Sequence, residues 1–182
     1  NPSFFSYDDV LYSRSPLALF LSPRAKSGTV TVYDGITELR SSAFQYCSYI
    51  SSVKIPSSVK SIKDGAFANC TSLAAVALPS SVKSIGNRAF FMCESLSEIT
   101  IPSSVETIDD NAFYGCASLA TVRNCSSLLP IVAGESSYGG VALYASEVLP
   151  CVPTSVADGS ALRVYSSASD VVVENGEGLR IH

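Results

Sequence analysis

The sequence predicts an α/β solenoid, in which similar coils of chain stack on one another between an N-terminal β-hairpin cap and a β-rich C-terminal cap. Two observations support this prediction. Three consecutive 23-residue segments, which begin at Ile55, Leu78 and Ile101, align without gaps, and a regular period of about 20 to 50 residues is typical of repeat architectures. Of the 182 residues, 47% are hydrophobic and only 15% are charged, a composition that supports a buried core.

The apolar residues of the three segments recur in register. The recurring valines, isoleucines and phenylalanines are Val59, Val82 and Val105, then Ile62, Ile85 and Ile108, then Phe67, Phe90 and Phe113. A weaker copy precedes Ile55, with Phe44 and Cys47 in phase and Tyr33 at the proline position. Stacking about four such coils predicts a ladder of four phenylalanines and a ladder of cysteines at Cys47, Cys70, Cys93 and Cys116.

Each repeat unit has the pattern of one coil of chain. Leu73, Val76 and Leu78 follow the L-x-x-L-x-L pattern of a strand whose alternate side chains enter a core. Pro79 ends the strand because proline has no N–H for a ladder. A serine turn follows, and Val82 to Ile85 forms a second short apolar stretch. The spacing from Ala89 to Leu96 predicts one or two turns of helix packed on the strand.

The two ends of the chain depart from the repeat. Tyr7 to Leu21 holds two apolar stretches around a Ser-Arg-Ser-Pro turn, which predicts a hairpin covering the first coil. After Val122 the period fails, and short runs such as VALYA, EVLPCV, ALRVYS and DVVVE predict strands. We therefore expect a capping hairpin over residues 1–28, repeats over 29–122 and a β-rich cap over 123–182, all within one structural domain.

The repeat resembles the BspA-like leucine-rich repeats, whose pattern is L-x-x-I-x-I-P-x-x-V-x-x-I-G-x-x-A-F-x-x-C. Leu73 to Cys93 and Leu96 to Cys116 follow it residue by residue, except that Asp109 stands at the usual glycine, as Lys63 does in the unit before Leu73. The resemblance implies a leucine-rich-repeat array in a cell-surface or secreted protein that binds host matrix proteins or other microbes.

Composition argues against several function classes. The formal net charge is -4, so no basic field would attract nucleic acid. The only histidine is His182, and the cysteines lack metal-ligand spacing, so we expect neither metal nor cofactor. Apolar runs such as Leu17 to Leu21 are too short to span a membrane. Because the chain opens on Asn1-Pro2 rather than Met, we expect that a leader or a longer N-terminal part was removed.

The cysteines and serines offer little for catalysis. The ladder cysteines suit a buried structural position with a weak S–H donor. Cys125 and Cys151 lie outside the ladder, and either a disulfide between them or two free thiols fits the sequence. A nucleophile needs a base beside it, and no interior histidine supplies one. The sequence therefore predicts a protein that is not an enzyme.

Binding is expected on the outward face of the main strands, because the inward positions form the core. The outward residues are Thr29, Thr31 and Tyr33; Ser52 and Lys54; Ala75 and Ala77; Glu98 and Thr100; and Thr121 and Arg123. Of these we predict Tyr33, Lys54, Glu98 and Arg123 as the contact residues for an extended protein ligand lying over the two alanines. The function predicted is an extracellular or cell-surface adhesion module. A passive spacer that displays other domains and a thiol-dependent enzyme are the alternatives.

Overall fold

The computed structural model describes residues 3–14 and 17–151, together with the strands at 162–166, 169–173 and 180–181. In chain order the elements are β1 (Phe4–Tyr7), β2 (Val10–Arg14), β3 (Leu17–Leu21), β4 (Gly28–Thr31), β5 (Glu38–Leu39), β6 (Ile50–Lys54), β7 (Ser61–Ile62), β8 (Ala75–Ala77), β9 (Ser84–Ile85), β10 (Glu98–Ile101), β11 (Thr107–Ile108), β12 (Thr121–Asn124), α1 (Ser137–Gly140), β13 (Glu147–Pro150), β14 (Leu162–Ser166), β15 (Ser169–Val173) and β16 (Arg180–Ile181). The contacts divide the chain into two compact units, Asn1–Val148 and Leu149–His182.

The first unit is a solenoid of about five turns, each with one main strand and, in four of them, one short strand. The main strands form parallel pairs in the orders β4-β6-β8 and β10-β12, and β8 also contacts β10. The short strands form a separate parallel sheet in the order β11-β9-β7-β5. Paired residues differ by 23 positions, as in Val53 with Val76 and Ile62 with Ile85. The predicted repeat register is therefore confirmed, with about one turn more than the sequence indicated.

The phenylalanine ladder forms the centre of the core. Phe44, Phe67, Phe90 and Phe113 are fully buried, and successive ring centroids lie 5.0, 5.1 and 5.0 Å apart. Their planes differ by at most 11°. Backbone hydrogen bonds run alongside: the N–H of Phe67 donates to the oxygen of Ala89, and the N–H of Phe90 to that of Ala112, both at 2.7 Å. Each coil is thus joined to the next by both ring stacking and backbone hydrogen bonds.

The helical segments predicted for each coil are not observed among the described residues, where the chain forms consecutive turns instead. The cause is in the backbone. Residues 42, 65, 88 and 111, and again 46, 69, 92 and 115, have positive φ in every coil, and such left-handed residues interrupt an α-helix. The one helical element described is α1, which itself contains two left-handed residues, Tyr138 and Gly139. The solenoid is accordingly built almost entirely of strands and turns rather than of α/β units.

The N-terminal segment forms a three-stranded antiparallel sheet, β1-β2-β3, with β2 and β3 where the sequence predicts a hairpin. Val10, Tyr12 and Leu19 of this sheet are buried in the solenoid core. Asp8 and Asp9, in the turn between β1 and β2, both bind the ammonium of Lys26, at 2.9 and 3.0 Å. These contacts attach the sheet to the first coil; its function as a cap stays a prediction.

Beyond β12 the first unit continues without the repeat pattern. Ile131, Val141 and Ala142 are buried in the same core, and the N–H of Phe113 donates to the oxygen of Gly139 in α1 at 2.8 Å. The VALYA run, predicted as a strand, forms turns over residues 141–144. In the second unit, β14, β15 and β16 form an antiparallel sheet. Residues 152–161 and 174–179, which belong to the predicted C-terminal cap, lie outside the described residues.

Candidate interaction surface

The main strands present alternating buried and outward side chains. Val30, Val53, Val76, Ile99 and Val122 are buried. The outward positions between them are exposed or half-buried. We call the outward side of β4, β6, β8, β10 and β12 the main face. Its side chains are held in register by the backbone pairing beneath them, so their spacing is fixed by the fold.

Pairing places the small outward residues side by side. Lys54 pairs with Thr31 on one side and with Ala77 on the other, while Ser52 pairs with Thr29 and Ala75. The hydroxyls of Thr29 and Ser52 lie 2.8 Å apart and share a hydrogen bond. Since neighbouring strands are about 4.8 Å apart, these residues form a shallow strip in which Ala75 and Ala77 leave the backbone uncovered by long side chains.

Three of the four predicted contact residues are exposed on the main face. Lys54 lies beside Ala77, while Glu98 and Arg123 pair with Thr121 and Thr100 on the next two strands. Within the described ranges, none of these three charged side chains forms an ion pair. Their charges therefore remain available to a ligand.

The fourth predicted residue, Tyr33, lies in a different setting. It follows the end of β4, is half-buried, and its N–H donates to the hydroxyl of Tyr12 at 3.1 Å. Its ring centroid lies 5.0 Å from that of Phe5 and 5.2 Å from that of Tyr7. Tyr33 is thus part of an aromatic cluster with the N-terminal sheet and does not stand free on the strand face.

This aromatic cluster borders an open pocket of about 350 Å³, lined by Phe5, Tyr7, Arg14, Leu17 and Tyr33. The Arg14 guanidinium lies over the Phe5 ring, 4.9 Å from its centroid, a cation–π arrangement. Sequence reasoning missed this pocket because it depends on contacts between the first coil and a segment outside the repeat.

Two titratable groups near the pocket are shifted by their surroundings. The Lys26 ammonium and the N–H of Thr31, which donates to Asp8 Oδ2 at 2.6 Å, lower the pKa of the Asp8 carboxyl. Burial raises the pKa of the Tyr12 hydroxyl. At neutral pH Asp8 is therefore charged and Tyr12 neutral, and both support the chain at the start of the main face.

The cysteine ladder has a structural role. Cys70, Cys93 and Cys116 donate their S–H groups to the carbonyl oxygens of Phe44, Phe67 and Phe90, at 3.0, 3.2 and 3.1 Å. Burial raises the pKa of Cys70 to about 12 and also raises the pKa of Cys47 and Cys93. A thiol that stays protonated at neutral pH is a poor nucleophile.

The thiol-enzyme alternative requires a free cysteine outside the ladder. Cys125 and Cys151 are both disulfide-bonded.

No cluster of three or more potential metal ligands occurs in the described part of the chain. Among the described elements, no helix has the length and apolar character that a membrane span requires.

Arginine and aromatic side chains lie instead on the turn side of the solenoid, where the sequence analysis predicts no site. Arg24 lies over the ring of Tyr46, 5.1 Å from its centroid, and Arg88 over that of Phe91 at 5.5 Å. Phe91 in turn stacks on Tyr114 of the next coil, with centroids 6.0 Å apart. The sequence signal was hidden because these residues occupy variable positions of the repeat.

The sequence matches the pattern of the BspA type leucine-rich repeat region, in six copies over residues 24–136. Because this match covers more than half of the chain, the protein belongs to the BspA-type leucine-rich repeat family. A comparison with curated protein sequences gave no match.

Several solved structures have the same fold. A leucine-rich cell surface protein from Faecalibacterium prausnitzii is 29% identical, with a TM-score of 0.71 over 84% of this chain and 40% of its own. A leucine-rich repeat protein from Bacteroides capillosus is 28% identical, with a TM-score of 0.58 over 67% of this chain and 98% of its own. The pneumococcal vaccine antigen PcpA, 24% identical, has a TM-score of 0.71 over 82% and 37%. The chain therefore matches well under half the length of the first and third of these proteins.

Proposed function

We propose that this chain is a non-enzymatic protein-interaction module, extracellular or exposed at the cell surface, and that its main face binds a protein ligand. The ligand class we propose is a host extracellular matrix protein or a protein of another cell surface. Two findings support this proposal: the repeat family, and the likeness to a protein described as a leucine-rich cell surface protein at 29% identity. Extended faces of stacked repeats are the surfaces that solenoid proteins use for recognition.

The observation that carries the proposal is the shallow strip on the main face. Ala75 and Ala77 are exposed and small, Lys54 lies beside Ala77, and Glu98 and Arg123 lie on the next two strands. None of these three charged residues has an ion-pair partner among the described residues. An extended segment of a ligand fits such a strip, because no long side chain stands over the two alanines. Charges of both signs on the main face then fix the direction in which the segment lies.

The pocket beside Tyr33 completes this arrangement at one end. Its rings and the Arg14 guanidinium form a recess of about 350 Å³, large enough for a side chain of the ligand. Tyrosine and arginine are the residue types that most often contribute large binding energies at protein interfaces. We therefore retain Tyr33 in the proposed contact face, as a wall of this pocket rather than as a strand residue.

Binding to a panel of purified matrix proteins tests the proposal. Collagen, laminin and fibronectin are immobilised in turn, and the 182-residue chain is measured by surface plasmon resonance. For any protein that binds, we expect the double variant Lys54→Ala/Arg123→Ala to lose at least about fivefold in affinity, since each exposed contact contributes up to about 1 kcal/mol.

A matched control removes two cations from another side of the solenoid. Arg40 and Lys60 are both exposed and flank the short strands β5 and β7. The double variant Arg40→Ala/Lys60→Ala makes the same change in net charge and is expected to bind within about twofold of the unaltered chain. Equal losses in the two double variants, or a loss only in the control, would contradict the main face as the site. Absence of binding to every matrix protein would contradict the matrix-protein ligand, and the same measurement on proteins of another cell surface then decides between that ligand and the passive spacer.

A further inference from the structure

A second groove lies on the turn side, between the segment before β4 and the first two turns of the solenoid. It has a volume of about 610 Å³, and its lining includes Arg24, Tyr46, Ser48, Tyr49, Asn69 and Thr71. None of the four contact residues proposed for the main face takes part in it. A cavity of this size is in the range of small-molecule and short-oligomer binding sites.

Two exposed tyrosine rings give the groove its apolar surface. The side chain of Tyr49 is 64% exposed and that of Tyr46 is 48% exposed. Tyr49 therefore keeps most of its ring for a ligand, whereas the Arg24 guanidinium lies over the Tyr46 ring and covers part of it. An aromatic ring packs well against a flat apolar face, while its hydroxyl stays hydrated or donates a hydrogen bond.

The polar groups of the groove are unused within the protein. Among the described residues, the side chains of Ser48, Asn69 and Thr71 form no hydrogen bond, and Arg24 forms no ion pair although it lies over Tyr46. Hydroxyl and amide groups both donate and accept hydrogen bonds, and a guanidinium binds a carboxylate through two parallel N–H donors. The groove thus offers stacking surface, neutral hydrogen-bonding groups and one positive charge.

The neighbouring groove shows why the charge matters. It shares Tyr46 and Asn69, and it also has an arginine over an aromatic ring, Arg88 over Phe91. Its lining, however, includes the carboxylate of Asp64, whereas no acidic residue lines the groove of Arg24. The charges of Arg88 and Asp64 balance in the neighbouring groove, whereas the groove of Arg24 has one unbalanced positive charge, so an anionic ligand is favoured in the groove of Arg24.

We propose that the groove lined by Arg24, Tyr46 and Tyr49 binds an acidic oligosaccharide of the uronic acid type. Sugar rings present one apolar face, which stacks on tyrosine, and a rim of hydroxyls, which matches Ser48, Asn69 and Thr71. The uronate carboxylate pairs with the Arg24 guanidinium. This combination of rings, neutral polar groups and a single cation is not matched by an apolar ligand, which would leave the polar groups unsatisfied.

Titration with a defined pair of tetrasaccharides tests this site. The probes are the hyaluronan tetrasaccharide, which carries two uronates, and the fully N-acetylated form of chitotetraose, which is neutral. Two-dimensional amide NMR of the 182-residue chain gives both the affinity and the location. We expect the hyaluronan tetrasaccharide to shift the resonances of Tyr46, Tyr49 and Thr71, with chitotetraose at least about fivefold weaker.

Variants separate the site from its neighbour. Arg24→Gln and Tyr49→Ala alter exposed side chains, and each is expected to weaken hyaluronan binding by about tenfold, as loss of a charge-assisted hydrogen bond or a stacked ring does. The matched control, Arg88→Gln, removes the other turn-side arginine and leaves binding unchanged. The amide spectrum of each free variant verifies the fold. The proposal is overturned if the two probes bind equally, if neither binds at millimolar concentration, or if Arg88→Gln is the variant that weakens binding.

Discussion

At the scale of single residues, the repeated cysteine illustrates how one position stabilises two coils. Each ladder thiol is buried three residues after the phenylalanine of its own coil, and three of the four donate to the phenylalanine carbonyl of the coil before. A small polarizable side chain with a weak donor fits this position, where a serine would bring a more strongly hydrated hydroxyl into an apolar core. The residue contributes to packing and is not positioned for chemistry.

The pH dependence of stability tests this view of the thiols. The pKa of Cys70 is about 12 in the folded chain and 9.0 in an unperturbed thiol. Between these values the unfolded chain has lost the proton and the folded chain still holds it. The free energy of unfolding should therefore fall as pH rises from about 9 to about 12, by about 1.4 kcal/mol per pH unit for this one thiol.

Urea unfolding over this pH range, on the unaltered chain and on Cys70→Ala, isolates that contribution. The variant should be less stable at neutral pH, and its stability should fall less steeply above pH 9 because the Cys70 titration is absent. Its stability still falls, because tyrosines, lysines and the other thiols titrate in both proteins. Identical slopes would show that the Cys70 thiolate is accommodated in the folded core.

At the scale of elements, the turn that follows each short strand is the feature that joins coil to coil. In four coils the N–H of the ladder phenylalanine donates to a backbone carbonyl oxygen in the next layer of the stack. For Phe113 the acceptor is the carbonyl oxygen of Gly139 in α1. The short element α1 thus takes the place of a repeat turn, even though the sequence around it lacks the repeat.

Two glycine substitutions test the position of α1. Gly134 and Gly139 both have positive φ, so an alanine is strained at either site. A Cβ at Gly134 meets no atom within 4 Å, whereas one at Gly139 would lie 2.7 Å from the Ala112 Cβ and 2.8 Å from its nitrogen. We expect Gly139→Ala to destabilise the chain by at least about 2 kcal/mol more than Gly134→Ala, measured by thermal and urea unfolding. Equal effects would place α1 away from the turn of Phe113.

The strands and the ladders could be predicted from the sequence because strict identity at a 23-residue spacing fixes which positions stack. The turn segments could not, since apolar residues spaced like Ala89, Phe90 and Cys93 suit a helix and a chain of turns equally well. The left-handed backbone at Arg88 and Met92 makes this segment a chain of turns rather than a helix. Neither residue type signals that conformation.

The proposed site also has a part that the sequence predicts and a part that it does not. The outward positions of Lys54, Glu98 and Arg123 follow from strand alternation alone. The surroundings of Tyr33 depend on Phe5, Tyr7 and Tyr12, which lie outside the repeat. No spacing rule connects these residues, and the pocket they form becomes visible only in the folded chain.

At the scale of the whole molecule, the unit from Asn1 to Val148 is a linear stack whose stability comes from neighbouring coils. Phe90 contacts the rings of Phe67 and Phe113 on its two sides and lies in a single continuous core. In such an array a local defect weakens its neighbours first, because interface terms act between adjacent coils.

Hydrogen exchange on Phe90→Ala tests this nearest-neighbour account. The substitution should cost about 3 to 5 kcal/mol, and the amides of Phe67 and Phe113 should exchange faster by more than that of Phe44. A matched substitution of the exposed ring of Tyr114, Tyr114→Ala, should leave the exchange of these three amides nearly unchanged. Uniform acceleration throughout the unit in Phe90→Ala would indicate a single all-or-none unfolding step instead.

The central claim is that the main face is where this protein contacts its ligand, and site-specific photo-cross-linking tests it most directly. The photoreactive residue p-benzoylphenylalanine replaces Ala77, which is exposed at the centre of the strip, or replaces Lys60, which is exposed beside β7. Each protein is irradiated with a matrix protein that the unaltered chain binds. We predict a covalent adduct from position 77 and none from position 60. An adduct from position 60 with none from position 77 would contradict the claim.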